Sequence, residues 1–562
     1  MVTSDDTKQP RSKFPPLFWL VVVFEFFERG SYYGVLSILA DCLNKQLHFE
    51  KQDVGLILGT IQPLLYFLPI LSGALADRFG YRRTLMVAFT LLGSGYFLAS
   101  QATGYTPMFL FLAVMGIGAG CFKPVISGTI ARCTDRTNST LGFGIFYWSI
   151  NLGAFLVPMF LVPYLKKEIG WNSVLIAAAI GTGAMLLPTL FLFREPPKPR
   201  EEEGEEKPSL LQTLANAFEI IYSPFVLILR SMQAAARAIL TASFVLILLG
   251  LGGYLYLDAG ETSRPFLMPF IGILFLASLV ILGLERRFKA ASSGRRALFL
   301  AVTAGVLGLL IWTLPHLSVF ARILCSVIAV TPLSLYTIDY EDLPRFKDHF
   351  RYLLLVFIYS CFWVLYFQMM GTVLWYVRDY VDAASLDSAV NRVFASVGIR
   401  YEWHFDVEHV TAINAGTIIL LQLVVSNIVK RFKAMPVMIA GIGFGTAGMA
   451  ILAISTDIWV FLAGIVIFSI GEMTAHPKFI SYVGETAPRS RVALYMGYMF
   501  LYGVIGSSIG SVMGANLYVR FVDELHQPRT LWLIFSGIGV ATIAGLMIYN
   551  RFLAWGGKPE QG

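Results

Sequence analysis

Charge is what this chain has least of. Only 14% of its 562 residues are Asp, Glu, Lys or Arg, against about a quarter in ordinary soluble domains. With 56% hydrophobic residues and a mean hydropathy of +0.67, this excludes an ordinary water-soluble globule. Apolar stretches recur from end to end, so the chain is an all-α, polytopic membrane protein. Cysteine is scarce as well. The five present (Cys42, Cys121, Cys133, Cys325, Cys361) have no metal or disulfide spacing. Most fall within or beside predicted helices, where Cys acts as a small hydrophobe. There is no nucleophile–base pair, metal cluster or phosphate loop, so neither enzymatic chemistry nor a cofactor or metal is expected. No short apolar core followed by small residues opens the chain, so no cleaved signal peptide is expected. A net charge of +7 would suggest nucleic acid in a soluble protein. In a membrane protein it reflects Lys and Arg in cytoplasmic loops, and no nucleic-acid partner is expected.

Against that shortage, the charges inside apolar runs stand out. The first run carries Phe24-Glu25-Phe26-Phe27-Glu28-Arg29-Gly30-Ser31-Tyr32-Tyr33-Gly34. On a helix Glu28 and Arg29 are the i+3 and i+4 neighbours of Glu25, so the three charges share a face that Tyr32, Tyr33 and Leu36 extend. A charge near mid-bilayer costs about 2.5–3.5 kcal/mol on insertion scales and normally faces a bundle interior or wet cavity. It marks a functional site, or else a buried ion pair that only joins helices.

The chain then reads in order. Residues 1–13 are polar and basic, hence cytoplasmic. Spans 1 and 2 cover about 15–41 and about 52–76. The short turn Gly73-Ala74-Leu75-Ala76-Asp77-Arg78-Phe79-Gly80-Tyr81-Arg82-Arg83 is basic and fixes orientation by the positive-inside rule. It is similar to the loop between helices 2 and 3 of the major facilitator superfamily, where its role is cytoplasmic gating. Spans 3 and 4 cover about 84–102 and about 106–132. In span 4, Lys123 follows a stretch of small residues and precedes Pro124, an intramembrane cation that needs an acidic partner or an anionic ligand. Span 5 opens with Phe146-Tyr147-Trp148-Ser149-Ile150-Asn151-Leu152-Gly153, and Asn151 is either interhelical glue or a ligand contact. Span 6 covers about 173–193. A Pro- and Glu-rich linker follows, then an amphipathic segment over about 210–235. Four further apolar spans lie near 237–257, 265–284, 297–314 and 317–337. Span 7 carries Phe362-Trp363 and Gln368. An external loop over about 377–408 holds Arg378, Asp379 and His404. Span 8 has Asn414 near its start, and span 10 contains Gly471-Glu472, His476, Pro477 and Lys478. Span 11 covers about 491–519 and span 12 about 530–551. The expected architecture is a cytoplasmic 1–13, a six-helix bundle 14–194, a linker with inserted helices 195–350, a second six-helix bundle 351–552, and a cytoplasmic 553–562.

These motifs resemble those of the proton-dependent oligopeptide transporters of the major facilitator superfamily. The resemblance covers both halves but not the insertion. It implies a major facilitator fold and a proton-coupled symporter of di- and tripeptides working by alternating access. It gives proton coupling to Glu25, Glu28, Arg29 and Glu472. Arg29, Tyr33 and Lys123 would hold the peptide carboxylate; Asn151, Asn414 and Glu472 would hold the amine. Tyr32, Tyr66, Trp363, Gln368, His476 and Met499 would line the pocket, and Asp77 and Arg78 would belong to the cytoplasmic gate. Peptides, protons and the lipid bilayer are the partners implied. A multi-pass protein of the cell membrane (the inner membrane in a bacterium) is expected, monomeric and with both termini cytoplasmic.

The chain departs from the family at an outer gate. Many members carry Arg where Leu36 stands and Glu where Phe367 stands, and these two form a salt bridge between helices 1 and 7. Replacing both partners of a buried pair by apolar residues can be neutral, whereas removing one strands a charge at about 3–5 kcal/mol. A hydrophobic Leu36–Phe367 contact is therefore expected in its place. His476 and Met499 also replace a Ser and a Trp common in the family. Lys478 is expected either to pair with Glu472 or to lie toward the inner surface. Two other readings stay open: a carrier or facilitator of the same fold for another small organic anion or zwitterion, and a non-transporting receptor or scaffold. Five buried ionisable groups would be costly to keep in a scaffold.

Overall fold

The computed structural model describes residues 13–135, 138–196, 346–487 and 492–553. The amphipathic segment and the four inserted spans expected between about 210 and 337 lie outside the described residues. Stretches Met1–Glu206 and Leu355–Gly562 form one compact unit, and only that unit is described below. Among the described residues there is no strand, only an isolated bridge between Asp382 and Asp457.

Among the described residues, ten helices are long and apolar enough to cross a membrane. In chain order they are Tyr81–Gln101 (span 3), Tyr105–Arg132 (4), Leu141–Glu168 (5), Asn172–Phe191 (6), Arg351–Met370 (7), Glu408–Val429 (8), Ala434–Leu452 (9), Ile458–Thr486 (10), Tyr495–Glu524 (11) and Pro528–Leu553 (12). Two more complete the array. Helix Pro16–Asp41 (span 1) has the length to cross, but Glu25, Glu28 and Arg29 sit in its middle. Helix Lys51–Phe79 (span 2) carries Pro63 and Pro69 in its interior and bends by 45° at the second of them, as a proline that blocks the i−4 carbonyl requires. Among the described residues, six such helices thus precede residue 197 and six follow residue 345.

Alternate spans run in opposite directions, so one end of the unit carries the basic turn Arg78–Arg83 and the other, here called the distal end, carries Asp41, Lys51, Glu168, Glu408 and Glu524. Span 5 is ragged at this end. Its helix Ser139–Leu156 passes through a wide turn, Val157–Leu161, that contains Pro158, and resumes at Val162–Glu168. Span 7 tightens to a 3-10 turn at Phe367–Met370 before Thr372–Tyr380. The expected loop over about 377–408 is only partly a loop, for it contains the helix Ala384–Ser396. Asp387 accepts from the Phe405 N–H at 2.9 Å and Asn391 bonds Trp403 both ways, so this helix is fastened to the segment that enters span 8. Span 11 is also interrupted, at Phe500, between Val492–Met499 and Leu501–Tyr518.

Two close backbone approaches set the depth of the polar residues. A Cβ on Gly153 would lie 2.6 Å from the Phe26 carbonyl oxygen, so spans 1 and 5 touch backbone to backbone beside Arg29 and Asn151. A Cβ on Gly471 would lie 2.5 Å from the Gly441 oxygen, which seats span 10 against span 9 and turns Glu472 away from that contact. Small residues at such crossings are how membrane helices pack when apolar burial gives no drive.

Candidate functional site

The middle of the unit gathers the intramembrane charges. Glu25, Glu28 and Arg29 are all buried. Arg29 makes a two-pronged pair with its neighbour in sequence: Nε donates to Glu28 Oε2 at 2.5 Å and Nη2 to Oε1 at 2.6 Å. Glu25, the i−4 residue that helical spacing favours as partner, stands 3.7 Å from Nε. The guanidinium also lies over the Tyr32 ring at 4.8 Å. Such planar, two-pronged pairing is specific to Arg.

Lys123 projects from span 4, and its ammonium lies over the Tyr66 ring of span 2, 5.2 Å from the centroid. It is within electrostatic reach of Arg29, Glu28 and Glu25, yet among the described residues it forms no ion pair. The expected partner, Glu472, is engaged elsewhere. Asn414 of span 8 donates to Glu472 Oε2 at 3.0 Å and to Ser469 Oγ at 2.9 Å. Around Glu472 stand tyrosines from five spans: Tyr33, Tyr66, Tyr147, Tyr366 and Tyr502 all feel its charge. The first half therefore presents cations to this centre and the second half a carboxylate with an amide, and tyrosines stand between them.

Further along span 10, His476 is held by two hydroxyls. Tyr359 lies 3.3 Å from Nδ1 and Tyr502 3.5 Å from Nε2. Trp363 sits edge-on to the imidazole at 5.0 Å and packs on Tyr502 at 4.5 Å. Tyr66 and Phe367 close the same aromatic group, at 6.0 Å. Glu472 and His476 share a helix face but bond different partners. Met499 is buried at the break in span 11.

Other expected site residues are placed differently. Gln368 is not free to line a pocket. Its amide donates to Val364 O at 2.6 Å and Gly510 O at 3.0 Å, and its carbonyl accepts from Thr372 at 2.8 Å. All its side-chain polar atoms are engaged: the Gly510 bond joins spans 7 and 11, and the other two stay within the span 7 segment. The Asn151 amide turns back onto the Tyr147 carbonyl of its own helix at 2.9 Å. Lys478 neither pairs with Glu472 nor reaches the centre; it caps the end of span 8 by donating to Phe432 O at 2.9 Å. At the basic end, Asp77 pairs with Arg132 of span 4 at 3.2 Å, and Arg78 lies 5.7 Å from the Phe79 ring centroid. Glu195 accepts from the Tyr81 and Arg82 N–H groups at 3.0 and 2.9 Å.

The distal end holds a second group of charges that sequence reasoning left unassigned. Leu36 and Phe367 are both buried, and span 1 packs on the Phe367–Met370 turn, but the ions lie a turn or more beyond them. Arg378 pairs with Asp41 of span 1, donates to Asn44 at 3.2 Å and pairs with Asp379 at 2.7 Å. Lys51 of span 2 pairs with Asp523 of span 11 at 2.7 Å and lies over the Tyr518 ring at 4.3 Å. The Tyr518 hydroxyl donates to Asp379 at 3.0 Å. Trp375 donates to the Ala40 carbonyl at 3.2 Å. On the other flank, Lys166 of span 5 pairs with Asp406 at 2.5 Å and Glu408 of span 8 at 2.6 Å. These contacts bind the first half to the second, so the distal end is closed. The adjacent pair Arg378–Asp379 and the charges flanking spans 2 and 11 are visible in the sequence. Their pairing is not, because the partners lie hundreds of residues apart.

Six spans before and six after an insertion, closed at one end around a polar centre, define a multi-pass membrane protein of two helical halves. The model of the Major Facilitator Superfamily matches residues 18–341 and 353–561, and the chain belongs to that superfamily. Among curated proteins it is 31% identical over 179 residues to dipeptide and tripeptide permease A of Klebsiella pneumoniae (strain 342), covering 31% of this chain and 34% of the permease. It is 28% identical over 274 residues to the same permease of Citrobacter koseri, covering 47% and 52%. The alignments thus span about a third to a half of those relatives. Among solved structures, the POT family transporter PepTSo superposes with a TM-score of 0.63 at 17% identity over 96% of this chain and 98% of that one. A POT family transporter in complex with 5-aminolevulinic acid superposes with a TM-score of 0.58 at 19% identity over 97% and 98%.

Proposed function

We propose that the chain is a proton-coupled symporter of di- and tripeptides, a member of the proton-dependent oligopeptide branch of its superfamily. In this reading it sits in the cell membrane (the inner membrane of a bacterium), with the basic turn and both termini cytoplasmic and the distal end external. One observation carries the proposal. At the centre, Lys123 of the first half has no ion pair among the described residues, and Glu472 of the second half bonds only neutral groups, Asn414 among them. A short peptide is a zwitterion of nearly fixed length. Its carboxylate suits Lys123, Arg29 and Tyr33, and its amine suits Glu472 and Asn414, with the site between two halves that rock about it. The curated relatives that bear the name dipeptide and tripeptide permease support the same cargo.

Glu28 supplies the proton link. Ionised, it occupies both prongs of Arg29. Neutralised, it frees the guanidinium for a carboxylate. Proton binding and peptide binding thereby favour each other.

The test is uptake of labelled dialanine into liposomes holding the purified protein, with and without an inward proton gradient. Gradient-driven accumulation that is lost in Glu28→Gln is the expected result. Equilibration without accumulation points to the second reading, a facilitator of peptides or of another small zwitterion. That reading is favoured by Phe367, an apolar residue where many family members keep an acid. 5-Aminolevulinic acid, bound by one transporter of this fold, is itself a zwitterion. Failure of the folded protein to move either cargo overturns both.

A further inference from the structure

On the flank joined by Lys166, one ammonium serves two carboxylates. Asp406, with 45% of its side chain exposed, lies at 2.5 Å; Glu408, with 1% exposed, lies at 2.6 Å. The Trp171 ring lies 5.1 Å from the same ammonium and shields it from above. A buried carboxylate with half a share of a cation is the least stable ion of such a set, because desolvation costs it most and its like-charged neighbour opposes it.

Among the described residues, Lys166 is the one cation in bonding range of Glu408. His409 is the next residue, fully buried. Its Nδ1 accepts the Asp406 N–H at 3.0 Å, which puts the proton of the neutral ring on Nε2, and Nε2 has no partner. Helix Ala384–Ser396 contributes Asp387, paired with His404 at 3.2 Å. Span 1 contributes Asp41, which feels the charge of Asp406 and is itself paired with Arg378. In span 5 the helix Ser139–Leu156 carries no Asp, Glu, Lys or Arg, and neither does the turn Phe367–Met370. Span 10 contributes Asp457, spent on capping the Trp459 N–H at 2.8 Å, and Glu472, which bonds Asn414 six residues along from Glu408, about 9 Å on a helix.

We propose that Glu408 is a proton-binding residue that gates the external end. Ionised, it holds spans 5 and 8 together through Lys166. Protonated, it leaves Lys166 to Asp406 alone, and the buried part of the junction loses its ion pair. The proton comes from the external solution and returns to it past half-exposed Asp406, so no other group need change its charge. Acid outside thereby favours opening to the outside. The role is separate from the central Glu28–Arg29 pair, and it supplies a pH sense at the gate where Leu36 and Phe367 have removed the family's ionic pair. The inference rests on the external placement of the distal end, not on the identity of the cargo.

The experiment uses the full chain in nanodiscs, where both faces see the same pH. Spin labels at Glu168 and Glu402, in a background free of native cysteines, report the separation of spans 5 and 8 between about pH 8 and about pH 5, a window that spans raised carboxyl values. The wild type is expected to shift toward the longer separation at acid pH. Glu408→Gln should show the acid distribution at both pH values, and Glu472→Gln should keep the wild-type shift. Lys166→Met should be separated throughout, which shows that a loss of shift in Glu408→Gln is loss of a latch and not of fold. A wild type without a shift, or a Glu408→Gln protein that keeps it, overturns the proposal. Dialanine binding measured on the same samples keeps the two readings apart: no binding with an intact shift removes the peptide cargo and leaves the gate standing.

Discussion

The centre and the distal end of this protein use the same residue types in opposite ways. At the distal end three cations meet carboxylates across the two halves: Lys51 with Asp523, Arg378 with Asp41, and Lys166 with Glu408. At the centre the halves do not neutralise each other. Arg29 pairs within its own helix, Lys123 lies on a ring, and Glu472 bonds an amide. A gate has to be complete without a ligand. A binding site has to be incomplete without one, since its buried charges are costly until the ligand arrives. In the proposed function, the contrast separates the residues that hold cargo from those that hold a conformation.

The strongest way to break the contrast is to remove the free cation. Lys123→Met should cost peptide binding about 2–5 kcal/mol, about 30-fold or more in affinity, as loss of one partner of a buried charge pair does. The protein should still fold, because no partner is stranded. Isothermal calorimetry with dialanine reads the first effect and thermal melting the second. At the distal end the same kind of change should act on conformation. Arg378→Gln leaves Asp41, 3% exposed, as a buried charge without its guanidinium. A cost of about 3–5 kcal/mol to the closed state is expected, seen as a longer spin-label distance across spans 1 and 7, while peptide affinity in the open state stays near wild type.

A smaller effect sharpens the line between pocket and packing. Gln368→Leu removes three hydrogen bonds, one of which joins spans 7 and 11. It should lower thermal stability by about 1–3 kcal/mol and leave preferences among peptide side chains unchanged. A changed preference would return Gln368 to the pocket. The apolar gate can be probed in the same spirit. Leu36→Arg should impair transport, and Leu36→Arg with Phe367→Glu should restore part of it if the two positions face each other. Absence of rescue counts against that pairing.

The smallest effect is in pH dependence. Burial alone would push the Asp406 carboxyl up, but the Lys166 ammonium and the Val407 N–H outweigh it and hold Asp406 below the usual carboxylate range. A depressed value means that its stabilisation is present above the ordinary carboxyl pKa, near pH 4, and fades as pH falls through the lower folded value. The side chain is half exposed, so the effect is screened. Melting curves of Asp406→Asn should fall below the wild type by a degree or two near neutral pH and converge with it below about pH 4.

How much of this was legible in the sequence follows from the same contrast. Charges at the centre announce themselves, because Glu25, Glu28, Arg29, Lys123 and Glu472 each interrupt an apolar run and the bilayer makes such interruptions rare. The two sets of six spans were legible for the same reason. What local spacing could not give was the partner. Helical periodicity favours Glu25 for Arg29, but the guanidinium folds onto Glu28, its neighbour in sequence. Gln368 looks like a pocket residue until span 11, more than a hundred positions away, presents Gly510 to it. The external latch was hidden most deeply. Lys166, Asp406 and Glu408 flank spans, where charges are ordinary, and only the packing of span 5 on span 8 makes a site of them. The helix Ala384–Ser396 was missed because a short amphipathic stretch at the membrane surface carries no long apolar run.

The central claim is that two incomplete half-sites clamp the two ends of a peptide, and it is tested most directly by calorimetry with end-blocked cargo. Binding of dialanine, N-acetyl-dialanine and dialanine amide would be measured in the wild type, Lys123→Gln and Glu472→Gln. The account predicts that blocking the carboxylate costs the wild type heavily but costs Lys123→Gln little further, and that blocking the amine behaves likewise with Glu472→Gln. Equal losses in wild type and variants would mean that each end of the peptide is held somewhere else, and the division of labour between the halves would fall.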